Sequence, residues 1–97
     1  MLHIISSSPY QTQAFQQCVP LVTENDAILL IQDAVIAAVG QNSAFEAIKN
    51  TGVKIYLLAA DLTARGLGER VCADAEIIDY KGFVSLTVTH ETQMKWG

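Results

Sequence analysis

The chain has 97 residues, 51% of them hydrophobic and only 16% charged, with a formal net charge of −4. This length fits one domain, residues 1–97, and a domain this small buries only about two-thirds of its unfolded surface. Clustered Lys and Arg are missing, which argues against direct nucleic-acid binding by this chain alone, since replacing phosphate counterions needs concentrated positive charge.

Leu2-His3-Ile4-Ile5 is a short apolar run stopped by Ser6-Ser7-Ser8-Pro9, so it predicts a first strand and a capping loop. Tyr10 to Val19 predicts a helix, ended near Pro20. After the turn Glu24-Asn25-Asp26, the unbroken run Ala27 to Ile31 has the mark of a strand buried on both faces. Asp33 to Val39 predicts a short helix closed by Gly40, and Ser43 to Asn50 a second helical piece closed by Gly52. Val53 to Leu58 is the third strand. Asp61 is then expected to cap a short helix, Leu62 to Arg65, that ends at Gly66. Glu76-Ile77-Ile78 predicts a short strand near an edge. Tyr80 to His90 reads two ways. Val84, Leu86 and Val88 alternate with polar residues like a strand, while Tyr80, Phe83, Val84, Thr87 and Val88 fit one helix face with Asp79 as N-cap. Eleven residues are long for a strand, which favours the helix. Met94-Lys95-Trp96 can add a last short strand.

Alternating strands and helices imply an α/β fold: a small three-layer α/β/α domain with a mostly parallel sheet. Residues 1–48 carry four acids and no Lys or Arg, whereas residues 49–97 carry six acids and six bases. The apolar surplus has two explanations: a sheet buried on both faces, or a large subunit interface, which resembles a core cut in half. The interface reading carries an expectation that the isolated chain self-associates. No signal peptide or membrane span is evident, and Cys18 and Cys72 do not form a secreted disulfide framework, so a cytoplasmic location is expected.

Cys18 is the first chemical candidate, because a thiolate is the nucleophile of sulfur transfer. Its setting is unhelpful: no Lys or Arg lies within thirty residues, and the end of a helix disfavours negative charge. The alternative is a small buried hydrophobe. Cys72 follows Arg70, which favours a thiolate, but a loop cysteine there needs no function. His3, His90, Cys18 and Cys72 are too scattered for a metal site, and no cofactor is expected. The Ser6 to Tyr10 loop could meet a phosphate after the first strand, but it lacks glycine and a basic residue; N-capping explains its serines. Asp33, Asp61 and Arg65 are expected to pair structurally. Trp96, Tyr80, Phe83 and Met94 form an aromatic and thioether set that suits an interface or the core equally.

Taken in order, Leu2-His3, Ser8-Pro9, Leu29-Leu30 with Gln32-Asp33 and Ala37-Ala38, Asp61-Leu62 with Ala64-Arg65-Gly66, Asp79-Tyr80 and Phe83-Val84 with Leu86-Thr87 resemble the DsrH/TusB family. The resemblance covers nearly the whole chain. It implies a DsrEFH-like α/β fold of flavodoxin-like appearance, and a place beside TusC/DsrF-like and TusD/DsrE-like subunits in a sulfur-relay heterohexamer. In the TusB branch, sulfur passes from a TusA-like donor to a TusE-like acceptor for 2-thiolation of the tRNA wobble uridine. In the DsrH branch the same assembly serves dissimilatory sulfur oxidation. The family's main reactive cysteine belongs to the TusD/DsrE-like subunit. Cys18 falls where DsrH-type chains often carry a cysteine, so it is an auxiliary persulfide acceptor or a remnant; the family gives Cys72 no role. The chain is therefore expected to be a structural subunit or a carrier in its own right, with a free-standing small-ligand module as the weaker alternative.

Overall fold

The apolar runs pair side by side into one sheet. In the computed structural model, which describes residues 1–39, 43–68, 71 and 74–97, the strands are β1 (Leu2–Ile5), β2 (Ala27–Leu30), β3 (Lys54–Leu58), β4 (Glu76–Ile78) and β5 (Gln93–Trp96). Their order is β4-β3-β2-β1-β5, and each neighbouring pair is parallel. The short fourth strand lies at an edge, as its sequence predicts, and the C-terminal strand pairs with β1 so that Trp96 stands opposite Ile5.

This order fixes where the helices go. From β1 to β4 the chain steps three times in one direction across the sheet, and from β4 to β5 it returns past all of them. Right-handed crossovers put the helices of forward steps on one face and the helix of a return step on the other. One face accordingly carries α1 (Ala14–Cys18), α2 (Ser43–Lys49), α3 (Ala59–Ala64) and a 3-10 helix, Gln32–Ala38. They close over Ile5, Ile28, Leu30, Ile55 and Leu57 with Phe15, Val35, Phe45, Ile48 and Leu62. The opposite face holds Leu2, Ile4, Ala27 and Leu29, and α4 (Tyr80–Thr89) lays Phe83 and Leu86 on it. The three-layer α/β/α expectation holds, with one layer much thinner than the other.

Several local expectations shift. The first helix starts at Ala14 rather than Tyr10, because Ser8 uses the preceding residues for a turn: its carbonyl accepts from Gln11 and Thr12, and its hydroxyl from Tyr10. Past Cys18 the chain tightens into a 3-10 turn, Val19–Leu21, whose early position tolerates Pro20. The segment expected as a helix over Asp33 to Val39 is a 3-10 helix, Gln32–Ala38, and Val39 is extended and bridges Val71 instead. Asp61 does not cap α3, which begins two residues before it; its carboxylate accepts instead from the Gln32 amide at 2.7 Å. Gly66 does end α3, at φ +66°, and the Leu67 amide reaches back to the Leu62 carbonyl in a Schellman closure. The expected stop at Gly40 lies outside the described residues.

The ambiguous C-terminal segment is a helix. Asp79 caps it, its carboxylate accepting from the Gly82 amide at 2.8 Å. The buried stripe differs from the expected one: Phe83 and Leu86 point to the sheet, while Tyr80, Val84 and Val88 point away and are 63%, 60% and 74% exposed. Truncating a fully buried residue of the thicker core tests this architecture. Leu57→Ala is expected to lower unfolding free energy by about 2–5 kcal/mol, whereas Lys54→Ala on the same strand shifts it by less than about 0.5 kcal/mol, both read from urea melts.

Candidate functional site

Cys18, the sequence candidate, is fully buried at the end of α1, within the cluster formed by Phe15, Ile5 and their neighbours. Two effects push its thiol up to about 11: burial first, then the negative charge of Asp26. A five-residue helix whose last turn holds no basic residue offers the sulfur no compensating charge. In this conformation Cys18 is a packed thiol with its reactive form suppressed. Arg70 and Cys72, the second candidate pair, lie outside the described residues.

A polar network that the sequence reading missed sits between the sheet and the Glu24-to-Asp26 turn. His3 is fully buried in β1. Its Nδ1 accepts from the Trp96 indole N–H at 3.2 Å, which leaves Nε2 to donate to Asp26 Oδ2 at 2.7 Å. The two rings stack with planes 25° apart. Asp26 also accepts from the Met1 α-amino group at 2.9 Å and the Thr23 amide at 3.1 Å. Its side chain is only 7% exposed, and burial opposes its charge. The Met1 ammonium, His3 and Thr23 outweigh that burial and hold the carboxyl well below the usual carboxylate range. A buried imidazole costs several kcal/mol unless bonded, of order 2–7 for a hydroxyl or amide. A histidine inside an apolar strand therefore signals a hidden partner, and that signal was present in Leu2-His3-Ile4-Ile5. The network joins β1, β5 and the start of β2. It also ends at the tryptophan donor, so it delivers no proton to a nucleophile.

The carboxyl ends of the strands, where parallel sheets bind ligands, are occupied by the chain itself. Ser6 Oγ donates to the Gly97 carbonyl at 2.6 Å, Ser7 Oγ donates to the same oxygen, and Ser8 Oγ accepts from Tyr10. All three serines of the supposed phosphate loop are thus engaged internally. Beside them, beyond β2 and β3, the expected acid–base set does assemble. Arg65 Nε and Nη2 donate to Asp33 Oδ1 at 3.0 and 2.8 Å, and Nη1 lies 3.6 Å from Asp61 Oδ1. Gln32 adopts φ +49°, a conformation uncommon outside glycine, and its amide is held by Asp61. Gln32-Asp33 and Asp61…Arg65-Gly66, distant in sequence, therefore form one clamp across two strand ends.

The C-terminal aromatic set does not assemble. Trp96 packs with His3, Phe83 lies on the opposite face, and Tyr80 and Met94 are exposed. Among the described residues, no group of three His, Cys, Asp or Glu side chains is placed to hold a metal ion. A shallow hollow of about 280 Å³ opens beside Lys54, Tyr56, Asp74 and Glu76. No described helix is long and apolar enough to cross a membrane.

This architecture defines a small, all-parallel α/β domain of a kind already solved. The crystal structure of the YchN protein from E. coli superimposes with a TM-score of 0.79 at 18% identity, covering 98% of this chain and 97% of that one. A solution structure from Thermotoga maritima superimposes with a TM-score of 0.68 at 22% identity, covering 95% and 97%. The profile of DsrH-like proteins matches residues 7–93. Protein TusB from Escherichia coli O81 (strain ED1a) is 46% identical over 96 residues, which is 99% of this chain and 100% of that protein. TusB from Escherichia coli strain K12 is 45% identical over the same span. The chain belongs to the DsrH/TusB family.

Two of the perturbed groups, Asp26 and Cys18, predict opposite pH limbs. Asp26 has a depressed carboxyl, so its contribution is present above its ordinary value of 3.8 and lost as pH falls through the acid range. Cys18 has a raised thiol, so its contribution is intact below 9.0 and lost as pH climbs towards about 11. Urea midpoints measured across pH should therefore fall at both ends; Asp26→Asn should flatten the acid limb and Cys18→Ala the alkaline one.

Proposed function

We propose that this chain is a TusB-like subunit of a cytoplasmic sulfur relay that serves 2-thiolation of the tRNA wobble uridine. The observation that carries the reading is 46% identity to TusB across the full length of both chains. The partners are TusC-like and TusD-like subunits, with sulfur arriving from a TusA-like carrier and leaving to a TusE-like one.

Within that relay we assign the chain a structural role. Persulfide transfer requires a thiolate that can meet the donor sulfur. Cys18 has no exposed surface, and its thiol is pushed up to about 11, so at neutral pH it is overwhelmingly protonated and enclosed between α1 and the core it packs into. Its packing in the core accounts for a cysteine at this position without any chemistry. The relay's reactive thiol then belongs to a partner, and this chain supplies surface. The opposing role, Cys18 as an auxiliary persulfide acceptor, requires α1 to lift from the sheet.

The test is sulfur transfer by the assembled three-subunit complex from a persulfurated TusA-like donor, with mass spectrometry locating the sulfur. Cys18→Ser is expected to leave the rate within about twofold of wild type, with the added sulfur found only on a partner subunit. An added sulfur atom on Cys18, together with slowed transfer in the variant, would make the chain a working carrier.

A further inference from the structure

We propose that the outer face of α4 is a self-association surface, on which two copies of this chain pair antiparallel about a twofold axis through Val84. This inference rests on the surface itself and is independent of the relay reading.

The face of the sheet beneath α4 is thinly covered. Five strands spaced about 4.8 Å apart span about 20 Å, while a helix is about 10 Å wide. Ile31, Tyr56, Ile78, Phe83 and Leu86 are consequently only partly buried. The outside of the helix is apolar as well. Tyr80, Val84 and Val88 recur every fourth residue and form one continuous ridge, at least 60% exposed at each position. The adjoining row Lys81-Ser85-Thr89 carries small side chains at its centre and end, which makes a groove next to the ridge. Ridges of this spacing pack into such grooves.

The pattern is complementary to itself. In an antiparallel pair centred on Val84, Tyr80 of one copy meets Val88 of the other, and Val84 meets its own mate. The two ridges then meet at Val84 with each partner's Ser85 row alongside, the isologous arrangement of a twofold dimer. Charge agrees. Lys81 is the one charged residue of α4, and Glu91 follows the helix by two residues. No ion pair among the described residues uses either. In the pair, Lys81 comes within about four residues, or about 6 Å along the axis, of the partner's Glu91, a span that a lysine side chain covers. The opposed helix dipoles add a favourable contribution. A like-charged or strongly charged partner would leave this nearly neutral ridge without compensation, whereas a second copy supplies both the ridge and the opposite charge.

Sedimentation of the full chain across a concentration series should reveal a monomer–dimer equilibrium. Val84→Asp puts two carboxylates on the axis and should weaken it by about tenfold or more. Val84 is 60% exposed, so circular dichroism and thermal unfolding of the variant should match wild type at low concentration. Val84→Cys, oxidised with copper phenanthroline, should give a covalent dimer well above the wild-type background, and Glu24→Cys should not. Lys81→Glu should weaken association, and adding Glu91→Lys should restore it. A wild-type chain monomeric throughout, a dimer that persists in Val84→Asp, or Val84→Cys cross-linking no faster than Glu24→Cys would overturn the proposal.

Discussion

The handedness of strand crossovers governs this molecule. Three forward steps place α1, α2, α3 and the long 3-10 helix on one face, and the single return from β4 to β5 leaves α4 alone on the other. One face therefore reaches the density of a proper core, with Phe15, Ile28, Leu30, Val35 and Leu57 fully buried. The other stops at four buried side chains under a ten-residue helix. The excess of apolar residues in so short a chain follows from this asymmetry. It furnishes one complete core and one face whose apolar residues stay only partly buried in the single chain.

The same economy shapes the polar groups. His3, Asp26 and Trp96 tie β1, the start of β2 and β5 together, and Arg65 with Asp33 and Asp61 clamps the far ends of β2 and β3. Among the described residues, no buried side-chain nitrogen or oxygen lacks a hydrogen-bond partner. Catalytic groups are commonly kept under-satisfied, strained or shifted toward neutral pH. Here the titrating groups move away from neutrality: Asp26 becomes more acidic and Cys18 less so. This is the physical basis of the structural role proposed for the chain, which belongs to the DsrH/TusB family.

Much of the fold was legible in the chain. The runs Leu2 to Ile5, Ala27 to Ile31 and Val53 to Leu58 read as strands, and the unbroken apolar run of the second marked it as buried on both faces. Asp79 and Gly66 marked helix ends through local bonding that the structure reproduces. Asp61 misled, because a capping residue type can serve a distant amide, and only the tertiary fold brings Gln32 to it. The segment around Val84 was ambiguous for an informative reason: a helix apolar on both sides loses its amphipathic period and begins to resemble a strand. Cys18 was legible by type and position as either a reactive thiol or a small buried hydrophobe, and the choice needed the tertiary fold, since its cover comes from side chains of several elements. The His3 network went unread because Asp26 and Trp96 lie far from it in sequence.

The account's central claim is that this chain serves the relay as an assembled, non-carrier subunit, and native mass spectrometry of the chain co-expressed with its TusC-like and TusD-like partners tests it most directly. The account predicts that all three chains are found in one complex, that it dissociates only together with loss of sulfur transfer, and that Cys18→Ser leaves its mass and yield unchanged. A TusC-like and TusD-like complex that forms and transfers sulfur at full rate while this chain remains free would contradict it.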